Sequence, residues 1–169
     1  MRLITFIILS VLTLNSQNYS SAEDAKSGIS FFSGTFDFSD DKKSSTLFGV
    51  EHQNENLYRD TKIGRVSPVT GIMITQDAAA YIYTGIEANY DVGPFKLTPS
   101  FAPGIYSQGD GKDLGHPLEF KSEVQLSMDL GETTNFGMSY NHVSNASLGD
   151  KNPGANSYMF LSLIHISEP

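Results

Sequence analysis

The sequence predicts an all-β protein, an eight-stranded antiparallel up-and-down transmembrane β-barrel. Short segments that alternate apolar and polar residues follow one another along the chain, and turn residues separate them, as is typical of β-strands. We count eight such segments, and bacterial transmembrane barrels have an even number of strands of about ten residues each. The chain is also rich in Phe and Tyr, which favours aromatic girdles at a membrane surface.

The N-terminal region predicts export. A positively charged start precedes an apolar run over residues 3–14, and small residues follow at 20–22. These features predict a signal peptide over residues 1–22 with cleavage after Ala22. The apolar run is shorter than the about 20 residues that a membrane-spanning helix needs, which argues against an anchor.

Charge and cysteine content narrow the class of protein. The chain of 169 residues has a formal net charge of −8 and no cysteine. Such acidity argues against nucleic acid as a partner. An exported chain of this length without disulfides is typical of the bacterial envelope rather than of small disulfide-stapled secreted domains.

Turns rich in Ser, Asp, Asn, Gly and Pro separate the first five predicted strands. These strands cover residues 29–38, 46–52, 62–75, 80–91 and 95–107. The fourth alternates most regularly, with Ile82, Thr84 and Ile86 on one face. Pro99 and Pro103 share a face of the fifth. Because proline cannot donate to the ladder, a bulge or a local gap in pairing is expected there.

The last three predicted strands cover residues 118–128, 134–144 and a segment that begins near Asn156. One face of the strand at 118–128 is polar and consists of Glu119, Lys121, Glu123, Gln125 and Ser127. These charges have both signs and could pair inside the barrel, because eight strands leave an interior that side chains fill. Longer polar loops at 53–61 and 108–115 alternate with short turns, as in transmembrane barrels.

A soluble up-and-down barrel of the lipocalin type is the alternative, with an apolar interior and a polar exterior. Periodicity alone does not say which face is inside. The charged face of the strand at 118–128 needs a wet or paired lumen, and the aromatic content is high for a small acidic chain. Both features favour the membrane barrel.

His142 and Ser144 lie two residues apart near the end of the seventh strand, so they share its face with Phe136, Met138 and Tyr140. In a membrane barrel this apolar face meets lipid, where polar groups are costly. The pair is therefore expected at the membrane interface, with a lipid as substrate. A histidine beside a serine has the composition of a general base and its nucleophile.

The turn that follows and the next strand supply the other candidate residues. Asn156 is expected on the same outer face, beside His142. Asn145 and Asn152, or backbone N–H groups of the turn at 145–154, are candidates to bind the oxyanion of an ester intermediate. The predicted catalytic pair is thus His142 and Ser144, with Asn156 beside it.

The stretch His142-Val143-Ser144-Asn145-Ala146, followed by residues 152–154, resembles the signature of the lipid A 3-O-deacylase (PagL) family. Residues 31–51 and 99–106 are also similar to that family. The resemblance implies an eight-stranded barrel in the bacterial outer membrane that acts as a serine esterase with a Ser-His-Glu triad. It further implies lipid A, in the lipopolysaccharide of the outer leaflet, as the partner, and no cofactor. A homodimer is left open.

The resemblance implies Asn156 as the third catalytic residue, at the position where the family has its glutamate. Asparagine can accept a hydrogen bond from His142 but carries no charge to stabilise the imidazolium. Asp150 is the nearest other carboxylate. Three alternatives therefore stay open from the sequence. They are a slower Ser-His-Asn esterase, a lipid-binding or structural barrel without catalysis, and the soluble periplasmic binding barrel.

No metal site is expected. The acidic pairs Asp40-Asp41 and Asp110/Asp113 match no known Ca²⁺ loop, and His52 and His116 lack metal-ligand spacing.

The C-terminal residues 162–169 resemble a translated sequencing-adapter tail rather than a barrel strand with a terminal aromatic residue. The barrel domain is accordingly expected over residues 23–161.

Overall fold

The computed structural model describes residues 27–40 and 42–166. The predicted signal peptide at 1–22, Asp41 and the last three residues of the predicted tail lie outside the described residues. Nine strands are present in the described part of the chain. They are β1 Ser27–Phe36, β2 Ser45–Asn54, β3 Arg59–Thr61, β4 Gly64–Thr75, β5 Ala80–Val92, β6 Phe95–Ser107, β7 Leu118–Asp129, β8 Thr134–Ser144 and β9 Ala155–Ile166. No helix among these residues is long and apolar enough to cross a membrane.

Eight of the strands close into an antiparallel barrel, as predicted. Each pairs with its neighbours along the chain, β2 pairs with β4, and β1 closes the ring against β9. The three-residue strand β3 pairs with β4 alone, and a 3₁₀ turn at Glu55–Leu57 precedes it. The predicted loop at 53–61 therefore contains a small hairpin extension that does not join the ring.

β9 extends beyond the predicted end of the barrel domain at residue 161. Residues through Ile166 pair with β1, and residues through Ile164 pair with β8. The signal peptide and the foreign origin of residues 162–169 stay predictions.

The barrel is apolar outside and polar inside. Large apolar side chains alternate outward along the strands, among them Phe31, Ile82, Ile105, Met138 and Phe160, each more than half exposed. The buried inner face carries Glu51, Gln53, Glu87, Lys121, Glu123 and Gln125. This polarity is that of a transmembrane barrel and the reverse of a soluble lipocalin-type barrel.

The expected pairing of charges in the lumen is present. Lys121 of β7 lies 3.1 Å from a carboxylate oxygen of Glu51 on β2 and 3.0 Å from one of Glu123 on its own strand. Its ammonium also lies 4.0 Å from the centroid of the Tyr83 ring, and the Tyr83 hydroxyl donates to Glu51 at 2.7 Å. The strands are thus joined through their side chains as well as their backbones.

The two prolines of β6 interrupt its pairing with β5. The ladder skips the two positions between Gly104 and Phe101 and the two between Ser100 and Leu97, and its register is the same on both sides of each gap. Of the two predicted alternatives, the structure thus has local gaps in pairing at Pro99 and Pro103 and no bulge.

The connections define two ends of the barrel. The loop end carries the connections at 37–44, 76–79, 108–117 and 145–154, and the terminal end carries Ser27, Ile166 and the connections at 55–63, 93–94 and 130–133. The two long polar loops noted in the sequence lie at opposite ends, because three barrel strands, β4 to β6, separate them. The site residues lie at the loop end.

Candidate active site

His142 and Asn156 lie directly opposite each other on the adjacent strands β8 and β9. Their side chains meet on the outer face of the barrel, where His142 Nδ1 and Asn156 Oδ1 are 2.8 Å apart. An amide oxygen accepts hydrogen bonds only, so His142 Nδ1 carries the proton in this contact. The Nε2 lone pair is then left to accept a proton.

Neighbouring groups fix the orientation of the Asn156 amide. The Tyr140 hydroxyl donates to Asn156 Oδ1 at 2.8 Å. On the other side, Asn156 Nδ2 donates to Ser39 Oγ at 3.2 Å. The oxygen therefore faces two donors and the nitrogen faces an acceptor, which supports the assignment of the two amide atoms.

Ser144 lies two residues beyond His142 on the same outer face, at the end of β8, where it pairs with Phe120 of β7. Its side chain is partly exposed. Among the described residues no hydrogen bond joins Ser144 to His142. Catalytic hydrogen bonds often form fully only when substrate binds, so the missing Ser144–His142 hydrogen bond is compatible with catalysis.

Asn145 organises the turn after β8 and is completely buried. Its side-chain amide donates to Leu114 O at 2.7 Å and to Lys151 O at 2.8 Å. Its Oδ1 accepts from Ser147 N at 2.9 Å, and its own backbone N–H donates to Asn152 Oδ1 at 3.0 Å. The Asn145 side-chain donors are thus committed to the turn and to the neighbouring loop at 108–117, whereas Asn152 is exposed and uses its side-chain oxygen.

Gly154 ends the turn and lies against the imidazole. Its φ of +62° is a left-handed conformation that glycine adopts without strain. A Cβ at this position would lie 2.7 Å from His142 Cε1 and 3.2 Å from Nε2. Glycine here leaves room for the ring.

An exposed ion pair connects the turn to the neighbouring loop. Lys151 Nζ lies 2.6 Å from a carboxylate oxygen of Asp113. This hydrogen bond from Lys151, with a second from the Gly115 N–H, lowers the pKa of Asp113. Asp150, the nearest other carboxylate in the sequence, is exposed and makes no hydrogen bond to His142.

Three aromatic rings lie beside the His142–Asn156 pair on the outer face. The rings of Phe38 and Tyr158 are stacked with centroids 4.4 Å apart, and Tyr140 lies 5.3 Å from Tyr158 and 6.4 Å from Phe38. All three side chains are partly exposed. They give the polar pair an apolar border on the membrane side.

The other histidines occupy separate places. His52 Nε2 lies 2.7 Å from Ser27 Oγ at the terminal end, and His116 Nδ1 accepts from the Leu118 N–H at 3.0 Å. Among the described residues, no group of three or more His, Asp or Glu side chains is arranged to hold a metal ion.

The fold and this site define a β-barrel of the bacterial outer membrane with a polar site on its lipid-facing surface. The chain belongs to the lipid A 3-O-deacylase (PagL) family, whose sequence profile matches residues 25–164. The members of this family are esterase-type hydrolases that act on lipid A in the outer membrane. Among curated protein sequences none matches significantly.

Solved structures support the same fold. The chain is similar to the crystal structure of the outer membrane enzyme PagL, with a TM-score of 0.64 and 18% identity over 82% of this chain and 99% of that one. It is also similar to a de novo designed transmembrane β-barrel, with a TM-score of 0.53 and 9% identity over 87% of this chain and 100% of that one. Neisserial surface protein A (NspA) gives a TM-score of 0.52 and 10% identity over 86% of this chain and 99% of that one.

Proposed function

We propose that this chain removes an ester-linked acyl chain from lipid A, with Ser144 as nucleophile and His142 as general base. The observation that carries the proposal is the 2.8 Å contact between His142 Nδ1 and Asn156 Oδ1 on the lipid-facing surface. It orients the imidazole and leaves Nε2 free to accept the Ser144 proton, which a serine esterase requires.

The reaction would proceed by acyl transfer in two steps. His142 Nε2 takes the Ser144 proton as Oγ attacks the ester carbonyl carbon. The protonated His142 then gives its proton to the leaving sugar oxygen, and the acyl chain stays on Ser144 as an ester. Water, deprotonated by His142, releases the fatty acid and restores the serine.

The turn between β8 and β9 supplies donors for the oxyanion. Asn152 Nδ2 is exposed and has its oxygen held by the Asn145 N–H. The Ala146 N–H lies in the turn immediately after Ser144 and Asn145 and forms no hydrogen bond with the backbone of the described residues. We propose that these two donors bind the oxyanion and that the Asn145 side chain acts through the turn it holds.

The substrate would reach the site from the outer leaflet. Transmembrane barrels have short turns on the periplasmic side and longer loops outside. Two of the three connections at the terminal end, 93–94 and 130–133, are shorter than those at 108–117 and 145–154, which supports an outward position for the loop end. His142 then lies near the outer membrane surface, where lipopolysaccharide resides.

Mass spectrometry of lipid A tests the assignment. Purified protein in detergent is incubated with lipopolysaccharide, and the acyl chains that remain on lipid A are mapped. The parent chain is expected to remove one ester-linked chain, and Ser144→Ala is expected to remove none. Ser33→Ala is the matched control, since Ser33 lies on the outer face of β1 away from His142 and should stay active.

A lipid-binding barrel without catalysis is the second candidate, and the neutral Asn156 in place of the family's glutamate favours it. Lipid A that stays fully acylated with every variant, together with binding of lipopolysaccharide by the parent chain, would select this function. Activity that survives in Ser144→Ala would instead show that another group is the nucleophile.

A homodimer stays a prediction, which light scattering of the detergent complex tests.

A further inference from the structure

Three hydrogen bonds join the segment at residues 37–39, which follows β1, to Asn156, and a fourth links Ser39 to Asp37 within the segment. Asn156 Nδ2 donates to Ser39 Oγ at 3.2 Å, and the Asn156 backbone N–H donates to Asp37 Oδ1 at 3.3 Å. Ser39 Oγ donates to Asp37 Oδ1 at 3.1 Å, and the Phe38 N–H donates to Asn156 O at 3.0 Å. Side chain and backbone of Asn156 are therefore both attached to this segment.

Asp37 is the charged member of this network and is completely buried. Its other oxygen, Oδ2, lies 2.5 Å from Nζ of Lys112, which comes from the loop between β6 and β7. Lys112 also approaches Asp40 at 3.7 Å. A buried carboxylate with an ion-pair partner and two further hydrogen-bond donors is held in one place.

The donors and acceptors form a continuous path from Asp37 to His142. The carboxylate of Asp37 only accepts hydrogen bonds, so the Ser39 hydroxyl donates one to it. The Ser39 oxygen then accepts a hydrogen bond from Asn156 Nδ2. The amide nitrogen must then face Ser39, and the amide oxygen must face His142. Each bond in such a path polarises the next.

We propose that Asp37 is a positioning residue for His142 that acts through Ser39 and Asn156. It holds the Asn156 amide with its oxygen toward the imidazole and keeps the proton of neutral His142 on Nδ1. Asp37, a carboxylate one step removed from the site, thereby partly compensates for the absence of a carboxylate at position 156. This inference rests on the proposed function for its effect on rate, but its effect on the imidazole does not depend on turnover.

The first test observes the imidazole directly. Histidine ring nitrogens are labelled with ¹⁵N, and NMR of the protein in detergent micelles reports which ring nitrogen of His142 is protonated at a pH where the ring is neutral. The His142 signal is assigned by its loss in His142→Gln. We expect Nδ1–H in the parent chain and a mixture of the two tautomers in Asp37→Asn and in Ser39→Ala.

Two further variants separate the charge of Asp37 from its ion pair. Lys112→Met breaks the ion pair from the other side and leaves the carboxylate facing Ser39, so it should keep Nδ1–H. Asp37→Asn combined with Lys112→Met removes both charges, which is often well tolerated when a buried pair is replaced by groups of similar size. The double variant should show the tautomer mixture even if Asp37→Asn alone folds poorly.

The second test measures rates. Asp37→Asn is expected to lower kcat about tenfold with little change in KM, because it affects the base and not the binding of lipid A. Ser39→Ala should lower kcat about threefold, by the loss of one hydrogen bond. In an Asn156→Glu background, Asp37→Asn should change kcat less than about twofold, since the charge then lies next to His142.

The outcomes separate this proposal from the proposed function. Unchanged Nδ1–H in the Asp37→Asn and Ser39→Ala variants would overturn the positioning role, whether or not the chain is active. The same loss of Nδ1–H in Lys112→Met would show that the ion pair only holds the loop, and would overturn it too. A tautomer mixture in the first two variants combined with a parent chain that never deacylates lipid A would support the positioning role and contradict the esterase.

Discussion

Asn156 accepts hydrogen bonds from His142 and Tyr140 through one amide oxygen. A carboxylate at this position would accept the same bonds and would also stabilise the imidazolium that forms during catalysis. We therefore expect Asn156→Glu to raise kcat about tenfold. The gain should be well below the about 10⁴-fold effect seen when a triad carboxylate is neutralised, because the proposed network from Asp37 already holds His142 in the required tautomer.

Asn156→Gln is the matched control for this substitution. It has the length of glutamate without the charge, so it separates the effect of charge from that of the longer side chain. Steady-state release of fatty acid from lipopolysaccharide measures both variants. Equal rates for Asn156→Glu and Asn156→Gln, in folded protein, would contradict the placement of Asn156 as the residue behind His142.

At the residue scale, strand alternation predicted much of the site. A period of two places Tyr140, His142 and Ser144 on the outer face, and the structure has them there. It could not predict Asp37 or Ser39, which reach Asn156 only because the last strand closes against the first. The distance of 119 positions between Asp37 and Asn156 leaves no local pattern to read.

The turn between β8 and β9 is the element that sets the space around His142. Gly154 has a φ of +62°, and a Cβ there would lie 2.7 Å from His142 Cε1. Gly154→Ala should therefore displace the imidazole and lower kcat at least about tenfold, because small displacements of a base are costly in rate. It should also lower stability by about 1–2 kcal/mol for the left-handed backbone.

Gly93→Ala isolates the backbone cost. Gly93 has a φ of +63° in the turn between β5 and β6, and no atom of the described residues lies within 4 Å of a Cβ built at this position. Gly93→Ala should lower stability by a similar amount to Gly154→Ala but leave the esterase activity unchanged. Unfolding in urea, followed by circular dichroism, and fatty-acid release are measured for both. Equal losses of activity in the two variants would show that the Gly154 contact does not position His142.

At the scale of elements, the sequence predicted the strands better than their connections. Each predicted barrel strand overlaps an observed one, because alternation and turn residues are local signals. The prolines of β6 likewise predicted the gaps opposite β5. The short strand β3 was not predicted, since three polar residues show no alternation and pair only through the hairpin with β4.

For the whole molecule, the buried ion pairs in the lumen are expected to stabilise the barrel. Lys121 is buried between the carboxylates of Glu51 and Glu123. Removing its charge leaves two buried carboxylates close together with neutral hydrogen-bond donors but without a cation between them. Breaking a buried pair in this way typically costs about 3–5 kcal/mol, so Lys121→Met should lower the free energy of unfolding by about that amount.

Lys151→Met provides the contrast, because it removes the partner of Asp113 in an ion pair whose side chains are both about half exposed. Solvent screens this pair, so no measurable change in stability is expected. Urea unfolding in micelles is followed by circular dichroism, since the chain has no tryptophan.

Because Lys121 faces inward and His142 faces outward on neighbouring strands, the Lys121→Met protein that remains folded should deacylate lipid A at the parental rate. A barrel that tolerates Lys121→Met as well as Lys151→Met would mean that backbone pairing alone holds the strands together.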